Sequence, residues 1–210
     1  MALLYAVKRN KKLTIIAGVV WLSLLASGFT FLLTYSNKPG AAGSVSKKWP
    51  SKSSIRKNSE NFTLLLFAHP KCPCTSATAS ELERLLASIH EKPISTYVFL
   101  YSPADAPESW SNTTLREKFE GIPNVKVIVD TDGVEAGKFG AMTSGQTFLY
   151  SKDGSLLFKG GITESRGHEG DNAGREAIAS FVLDGKSAIS QTPVFGCSIR
   201  KPASTGWKAQ

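Results

Sequence analysis

Residues 62–89 read FTLLLFAHPKCPCTSATASELERLLASI, and this stretch decides the fold. Phe62 to Ala68 is a nearly unbroken apolar run, as long as a central strand covered on both faces. Leu82, Leu85, Leu86 and Ile89 recur at i, i+3, i+4 and i+7, the apolar face of a helix. Between them lies His69-Pro70-Lys71-Cys72-Pro73-Cys74. Pro73 suits a first helical turn, which places Cys72 near the N-cap and Cys74 just inside the helix. Backbone N–H groups without helical partners and the positive end of the helix dipole favour thiolate there. A strand, a cysteine pair and a helix in that order make a site for thiol chemistry.

Upstream, Leu13 to Tyr35 carries no charge and is mostly apolar, and 23 residues suffice to span a bilayer as a helix. Lys8, Arg9, Lys11 and Lys12 precede it, which predicts a basic cytoplasmic tail over 1–12 and an exported C-terminal part. The rival is a cleaved signal peptide, with small residues supplied by Gly40 to Gly43; the length of the apolar run favours an uncleaved anchor. Residues 36–59, rich in Ser, Lys and Gly, read as a flexible tether, with Trp49 part of it.

The formal charge of +8 resides in these first segments. Ten of the 25 Lys and Arg lie before residue 60, whereas all 17 acidic residues lie from Glu60 onward. The folded part is therefore near neutral, which removes the main support for nucleic acid as a partner. Three cysteines are too few for a disulfide framework, and two of them one residue apart indicate catalysis or metal binding.

Downstream, elements alternate. Ile94 to Tyr101 reads as a second strand and Pro107 to Glu120 as a helix with Trp110, Leu115 and Phe119 partly buried. Val125 to Val129 reads as a third strand and Asp132 to Phe139 as a short helix or turn. Thr147 to Tyr150 and Ser155 to Lys159 flank Lys152-Asp153-Gly154, a hairpin signal. A last helix runs from about Asn172 to Leu183, with Ile178, Phe181 and Val182 inward and Asp171 or Asn172 as cap. The pattern predicts an α/β domain over 60–185, a mixed central sheet between helices, and an irregular extension over 186–210 that carries Cys197.

This order resembles the thioredoxin fold in its membrane-tethered, TlpA-like branch, where a redox pair sits between the central strand and its helix. Residues 125–154, with VKVIVDTDGVEAGKFGA before a strand and then KDG, are similar to that branch too. The chain most closely resembles the bacterial RedB-type thioredoxin-like family. Four motifs carry that likeness: HPKCPC (69–74), TSGQ (143–146), GGITESRGHEGDN (160–172) and PVFGC (193–197). Two departures stand out. One residue, not two, separates the cysteines, and Gln146 stands where thioredoxins place a cis-proline against the pair. The missing proline leaves disulfide exchange open and keeps metal binding in play.

Preferred Cα separations of about 4.4–6.8 Å admit a Cys-x-Cys disulfide, but its dihedral is harder to satisfy. Such strain predicts a comparatively oxidising pair, well above the roughly −300 mV of structural bridges. Cys72, expected to be the more exposed, is then the attacking thiolate, and Cys74 resolves the mixed disulfide. Lys71 is a candidate for lowering the first thiol's pKa, against the plain alternative of a solvated lysine. His69 is a candidate proton shuttle or metal ligand, against a merely packed histidine. The resemblance implies that the Gly160-Gly161 backbone approaches the pair, with Arg166 and His168 at the rim; ordinary loop residues are the alternative. Cys197 is a further resolving thiol, a metal ligand or a buried apolar residue.

Three functions follow. The first is a membrane-anchored thiol–disulfide oxidoreductase outside the cytoplasm, using Cys72 and Cys74 without a cofactor. Its partners would be a protein thiol or disulfide and a second protein that resets the pair. The second is a copper-binding or copper-delivery protein, with Cu(I) held by Cys72 and Cys74 and completed by His69, His168 or Cys197. The third is a scaffold whose thiols are incidental.

Overall fold

The structure is a computed structural model that describes residues 11–199. Of the basic residues expected in the cytoplasmic tail, Lys8 and Arg9 lie outside the described residues and Lys11 and Lys12 open the first helix; the end of the C-terminal extension also lies outside. The chain divides into two units, residues 1–37 and 38–210.

The first unit contains helix α1 (Lys11–Ser36), 26 residues long and apolar enough to cross a membrane. Its hydroxyl side chains are satisfied within the helix: Ser23, Ser27, Thr30 and Thr34 each donate to the carbonyl four residues earlier at 2.8–2.9 Å. A helix in hydrocarbon needs that internal satisfaction because no water is there to provide it.

The second unit is built on β1 (Phe62–Ala68), followed by α2 (Thr75–Ser88), β2 (Ile94–Ser102), α3 (Thr114–Glu120), β3 (Val125–Thr131) and α4 (Val134–Phe139). The chain ends with β4 (Gln146–Tyr150), β5 (Leu156–Gly160) and α5 (Ala173–Asp184). The five strands lie in the order β3-β2-β1-β4-β5. β1 is central, parallel to β2 and antiparallel to β4, and β2 is parallel to β3. The β1 register pairs Phe62 with Ile94 and Ala68 with Leu100, so β1 ends two residues short of its neighbour, just before the cysteines.

Alternation along β1 explains its continuous apolar run. Leu64, Leu66 and Ala68 face a core completed by Leu82 and Leu85 of α2, Phe119 of α3 and Ile178 of α5. Leu65 and Phe67 face the other way, into an aromatic core with Phe99, Phe139, Phe148 and Tyr150. The expected helix from Pro107 is split: a 3-10 turn covers Glu108–Trp110, and Thr113 caps α3 by accepting from the Arg116 N–H. Asn172 caps α5 by accepting from the Arg175 N–H, as the sequence predicts.

The expectation of a free tether over 36–59 is corrected. On the aromatic face the helical cover is α4 alone, six residues long, and residues 45–55 complete it. Trp49 packs edge-on against Phe139 and Tyr150, each at 5.1 Å between centroids. Glu135 accepts from the Ser53 hydroxyl (2.8 Å) and the Ser54 N–H (3.0 Å). Gly40 and Gly43 also have a packing role, since a Cβ there would lie 2.3 Å from Thr143 Oγ1 and 2.2 Å from the Gly140 carbonyl oxygen.

Candidate functional site: a buried sulfur at the end of the central strand

The cysteines lie where β1 hands over to α2. Cys74 occupies the N-cap position of α2, and Cys72 falls two residues before it, slightly outside the expected positions. The Cys72 carbonyl accepts from the Thr75 N–H (3.2 Å) and the Pro73 carbonyl from the Ser76 N–H (3.3 Å), which ties the pair to the first turn.

The exposure order is the reverse of the expected one. Cys72 is buried, with 3% of its surface exposed, whereas Cys74 is partly exposed. The cover over Cys72 comes from the C-terminal segment, whose Cys197 N–H donates to Cys72 Sγ at 3.4 Å. Burial alone pushes the Cys72 thiol up, but hydrogen bonds from the Thr75 hydroxyl, the Cys197 thiol and backbone N–H groups outweigh it, and the net shift is downward. Cys74 is pushed up by burial and by the negative charge of Cys72, with Arg166 pulling the other way. Cys197 is pushed up by burial and by its own hydrogen bond to Cys72. Of the three, Cys72 is the sulfur whose surroundings favour the thiolate, while those of Cys74 and Cys197 favour the thiol.

Two residues that sequence reasoning missed complete this arrangement. The His69 N–H donates to Ser144 Oγ (2.8 Å), and Ser144 Oγ lies 2.6 Å from Thr75 Oγ1. With Thr75 donating to Cys72, the Ser144 hydroxyl donates to Thr75, so a chain of donors runs from the end of β1 to the thiolate. Ser144 lies in the TSGQ motif; the motif marked the place but not the atom that acts. Gln146 fills the position that lacks a proline, and its Oε1 accepts from the Met142 N–H at 3.0 Å.

The four sequence motifs converge here. The Gly145 N–H donates to Phe67 O (2.8 Å), the Ser144 N–H to Cys197 O (2.8 Å) and the Gly161 N–H to Pro193 O (3.1 Å). Arg166 donates from one guanidinium nitrogen to the Gly196 carbonyl (2.6 Å), and it is near enough to Cys74 to pull that thiol's pKa down. Its loop is fastened by the fully buried Glu81 of α2, which accepts from the Gly170 N–H (2.8 Å), Asn172 (3.2 Å) and Arg175 (2.6 Å).

The side chains of the remaining candidates take other partners or face solvent. His69 stacks on Tyr101 (5.6 Å) and meets Trp110 edge-on (5.5 Å). Its Nδ1 accepts from the Lys71 N–H at 3.2 Å, which leaves the proton of the neutral ring on Nε2. Burial and the Lys71 charge both lower its pKa. Lys71 is exposed, and its ammonium lies 4.5 Å from the Trp110 ring centroid. The groups that depress Cys72 are Thr75 and Cys197, not Lys71. His168 is exposed on its loop. Among the described residues no three His, Cys, Asp or Glu side chains gather in a metal-holding geometry. A cleft lined by Leu86, Ile94, Ile122 and Val125 among others lies at the opposite end of the parallel strands and contains no cysteine.

No protein-family model matches the chain, and no curated protein is similar to it in sequence. Among solved structures it is similar to an uncharacterized conserved protein from Geobacillus kaustophilus, at 21% identity and TM-score 0.57 over 81% of this chain and 94% of that one. A hypothetical protein from Sinorhizobium meliloti 1021 is similar at 19% identity and TM-score 0.56, over 78% of this chain and 98% of that one. A secreted Mycobacterium tuberculosis disulfide oxidoreductase shares 15% identity at TM-score 0.42, over 60% of this chain and 83% of that one. At such identities a likeness concerns the fold. In its own topology the second unit is thioredoxin-like: β1 is central between parallel β2 and antiparallel β4, helices flank the mixed sheet, and the cysteine pair lies between the central strand and its helix. The first unit's helix is long and apolar enough to span a membrane.

Proposed function

We propose that the chain is a membrane-anchored thiol–disulfide oxidoreductase working outside the cytoplasm, related to the RedB-type proteins its motifs resemble. The observation that carries this reading is the asymmetry of the pair: Cys72 is buried among hydrogen-bond donors, and Cys74 is partly exposed to solvent. Exchange is fastest when the attacked sulfur is accessible and the leaving sulfur is a stable thiolate. In the oxidised chain a partner thiolate attacks Cys74 Sγ. The partner–Cys74 bond forms, the Cys72–Cys74 bond breaks, and Cys72 leaves as thiolate. A second partner thiolate then attacks the partner sulfur of the mixed disulfide and expels Cys74. The partner departs with its disulfide and the chain is left reduced. A separate redox protein must reoxidise it. This sequence reverses the roles expected from the sequence, where Cys72 made the first contact.

The test is trapping in full-length chain. Exchange is reversible: in Cys72→Ser the Cys74 thiolate attacks the disulfide of the oxidised partner and expels one partner thiolate, and with no thiol at position 72 to displace the partner from Cys74 the mixed disulfide accumulates. Non-reducing electrophoresis and mass spectrometry read the linkage. Should neither Cys72→Ser nor Cys74→Ser trap a thiol protein, while the intact chain binds Cu(I) one-to-one and needs His69 or Cys197 to do so, the copper reading replaces this one.

A further inference from the structure

Cys197 bears on the same sulfur as Cys74, from the opposite end of the domain sequence. Its backbone N–H donates to Cys72 Sγ at 3.4 Å, and its thiol hydrogen-bonds that sulfur as well. The segment around it is seated by main-chain contacts that resemble an added strand. Cys197 O accepts from the Ser144 N–H (2.8 Å), the Ile199 N–H donates to Met142 O (2.9 Å), and Ser198 bridges antiparallel to Thr143. Further back, the Thr192 N–H donates to Lys159 O (3.2 Å) and Val194 O accepts from the Gly40 N–H (2.8 Å). Phe195 and Ile199 are buried on either side of the cysteine. The approach is close because residue 196 is glycine: a Cβ there would lie 2.0 Å from the Ser144 carbonyl oxygen. A cysteine held this way, main chain paired and sulfur against Cys72, is placed as a disulfide partner.

We propose that Cys72 forms disulfides with two partners in the chain, Cys74 and Cys197, and that the bond passes between them. The inference rests on the redox reading of the Cys72–Cys74 pair. The step needs no outside oxidant. In the Cys72–Cys74 form, the Cys197 thiolate attacks Cys72 Sγ. The Cys72–Cys197 bond forms, the Cys72–Cys74 bond breaks, and Cys74 leaves as a thiolate that takes up the proton Cys197 gave up. Oxidation of Cys72 removes the neighbouring thiolate that discourages Cys197 from ionising, so the attack becomes easier in the state where it is needed. Ring size favours the transfer as well, since a bridge across one intervening residue is hard to close in a relaxed dihedral. The Cys72–Cys197 form fastens the C-terminal segment over the site and leaves Cys74 reduced, unable to accept a partner's thiolate. The Cys72–Cys74 form presents the accessible sulfur. Cys197 thus stores the oxidising equivalent in a position that partners do not reach.

The test uses full-length chain in detergent, equilibrated with reduced and oxidised glutathione, acid-quenched, alkylated and mapped by non-reducing peptide mass spectrometry. In the unaltered chain both linkages are expected, Cys72–Cys74 and Cys72–Cys197. Cys74→Ser is expected to lose two thiol hydrogens and yield the peptide pair joined through Cys72 and Cys197. Cys197→Ser is expected to retain Cys72–Cys74 and to gain at least about tenfold in the rate at which a dithiol peptide reduces it, because the protected form is gone. If the unaltered chain forms Cys72–Cys74 but never Cys72–Cys197, and Cys74→Ser keeps two free thiols or takes only glutathione, this inference fails and the oxidoreductase reading stands. If no internal disulfide forms in any of the three proteins, the oxidoreductase reading fails with it.

Discussion

Two stretches without a helix or strand of their own, residues 38–59 and 190–199, lie against the thioredoxin-like domain, and they cover different things. The first covers aromatic side chains: Trp49 closes over Phe139 and Tyr150, with Val45 and Ile55 beside it. The second covers a sulfur, and does so mainly with backbone: the Ser144, Gly161 and Gly40 N–H groups reach its carbonyls, and its own Cys197 N–H reaches Cys72. Apolar area removed from water stabilises the whole fold. A few main-chain bonds at a surface hold one segment down and can open locally without global unfolding. The first stretch therefore belongs to stability, and the second to reactivity.

The largest effect that would break this division is expected at Trp49. Trp49→Ala removes the ring from between two aromatic side chains and is expected to cost about 3 kcal/mol. Urea unfolding of the full chain reads that loss. Cys72 alkylation in the folded protein should stay at its original rate; a large rise at unchanged stability would assign the first stretch to the site.

Gly196→Ala makes the opposite demand. The new methyl meets the Ser144 carbonyl oxygen at 2.0 Å, a contact that real Cβ atoms do not make, so residues 195–198 must shift. Overpacking of this kind costs about 1–3 kcal/mol, and here it falls on the cover over Cys72. Since about 1.4 kcal/mol is a factor of ten in population, alkylation of Cys72 should rise by roughly tenfold or more. Unfolding stability should fall by less than in Trp49→Ala. Unchanged alkylation would mean that the segment does not limit access to the sulfur.

The sequence made the interior legible and left the covers unread, for a physical reason. β1, α2, the hairpin and the Asn172 cap are set by local patterns: period two, period 3.6, Asp-Gly, an amide before a helix. Residues 38–59 have the composition of a tether, and nothing in that composition reveals that α4 is too short to cover the aromatic face. The burial of Cys72 is invisible for the same reason, because the group that covers it is 125 residues away. His69 reads as a shuttle or ligand because it is three residues from Cys72; its side chain's surroundings come instead from Tyr101 and Trp110, which local patterns do not bring together. The motifs 143–146, 160–172 and 193–197 were visible as words, and their convergence on one sulfur appears only in three dimensions.

The finest distinction concerns what makes Cys72 a thiolate, and Thr75 decides it. Thr75→Val keeps the buried shape at position 75 but removes the hydroxyl between Ser144 and the sulfur; Ser144 still accepts from the His69 N–H. In the intact chain the folded-state pKa of Cys72 is depressed, so its thiolate contributes stability that is fully present above the unfolded thiol pKa. That contribution is lost as pH falls through the lower folded value. Thr75→Val should therefore move the midpoint of Cys72 alkylation upward, and one unit of movement corresponds to about 1.4 kcal/mol. Its stability loss should grow between the folded and unfolded pKa values and be largest in alkali. A pH-independent loss with an unmoved midpoint would show that Thr75 only packs, and would leave the covering segment's own N–H as the group that holds the charge.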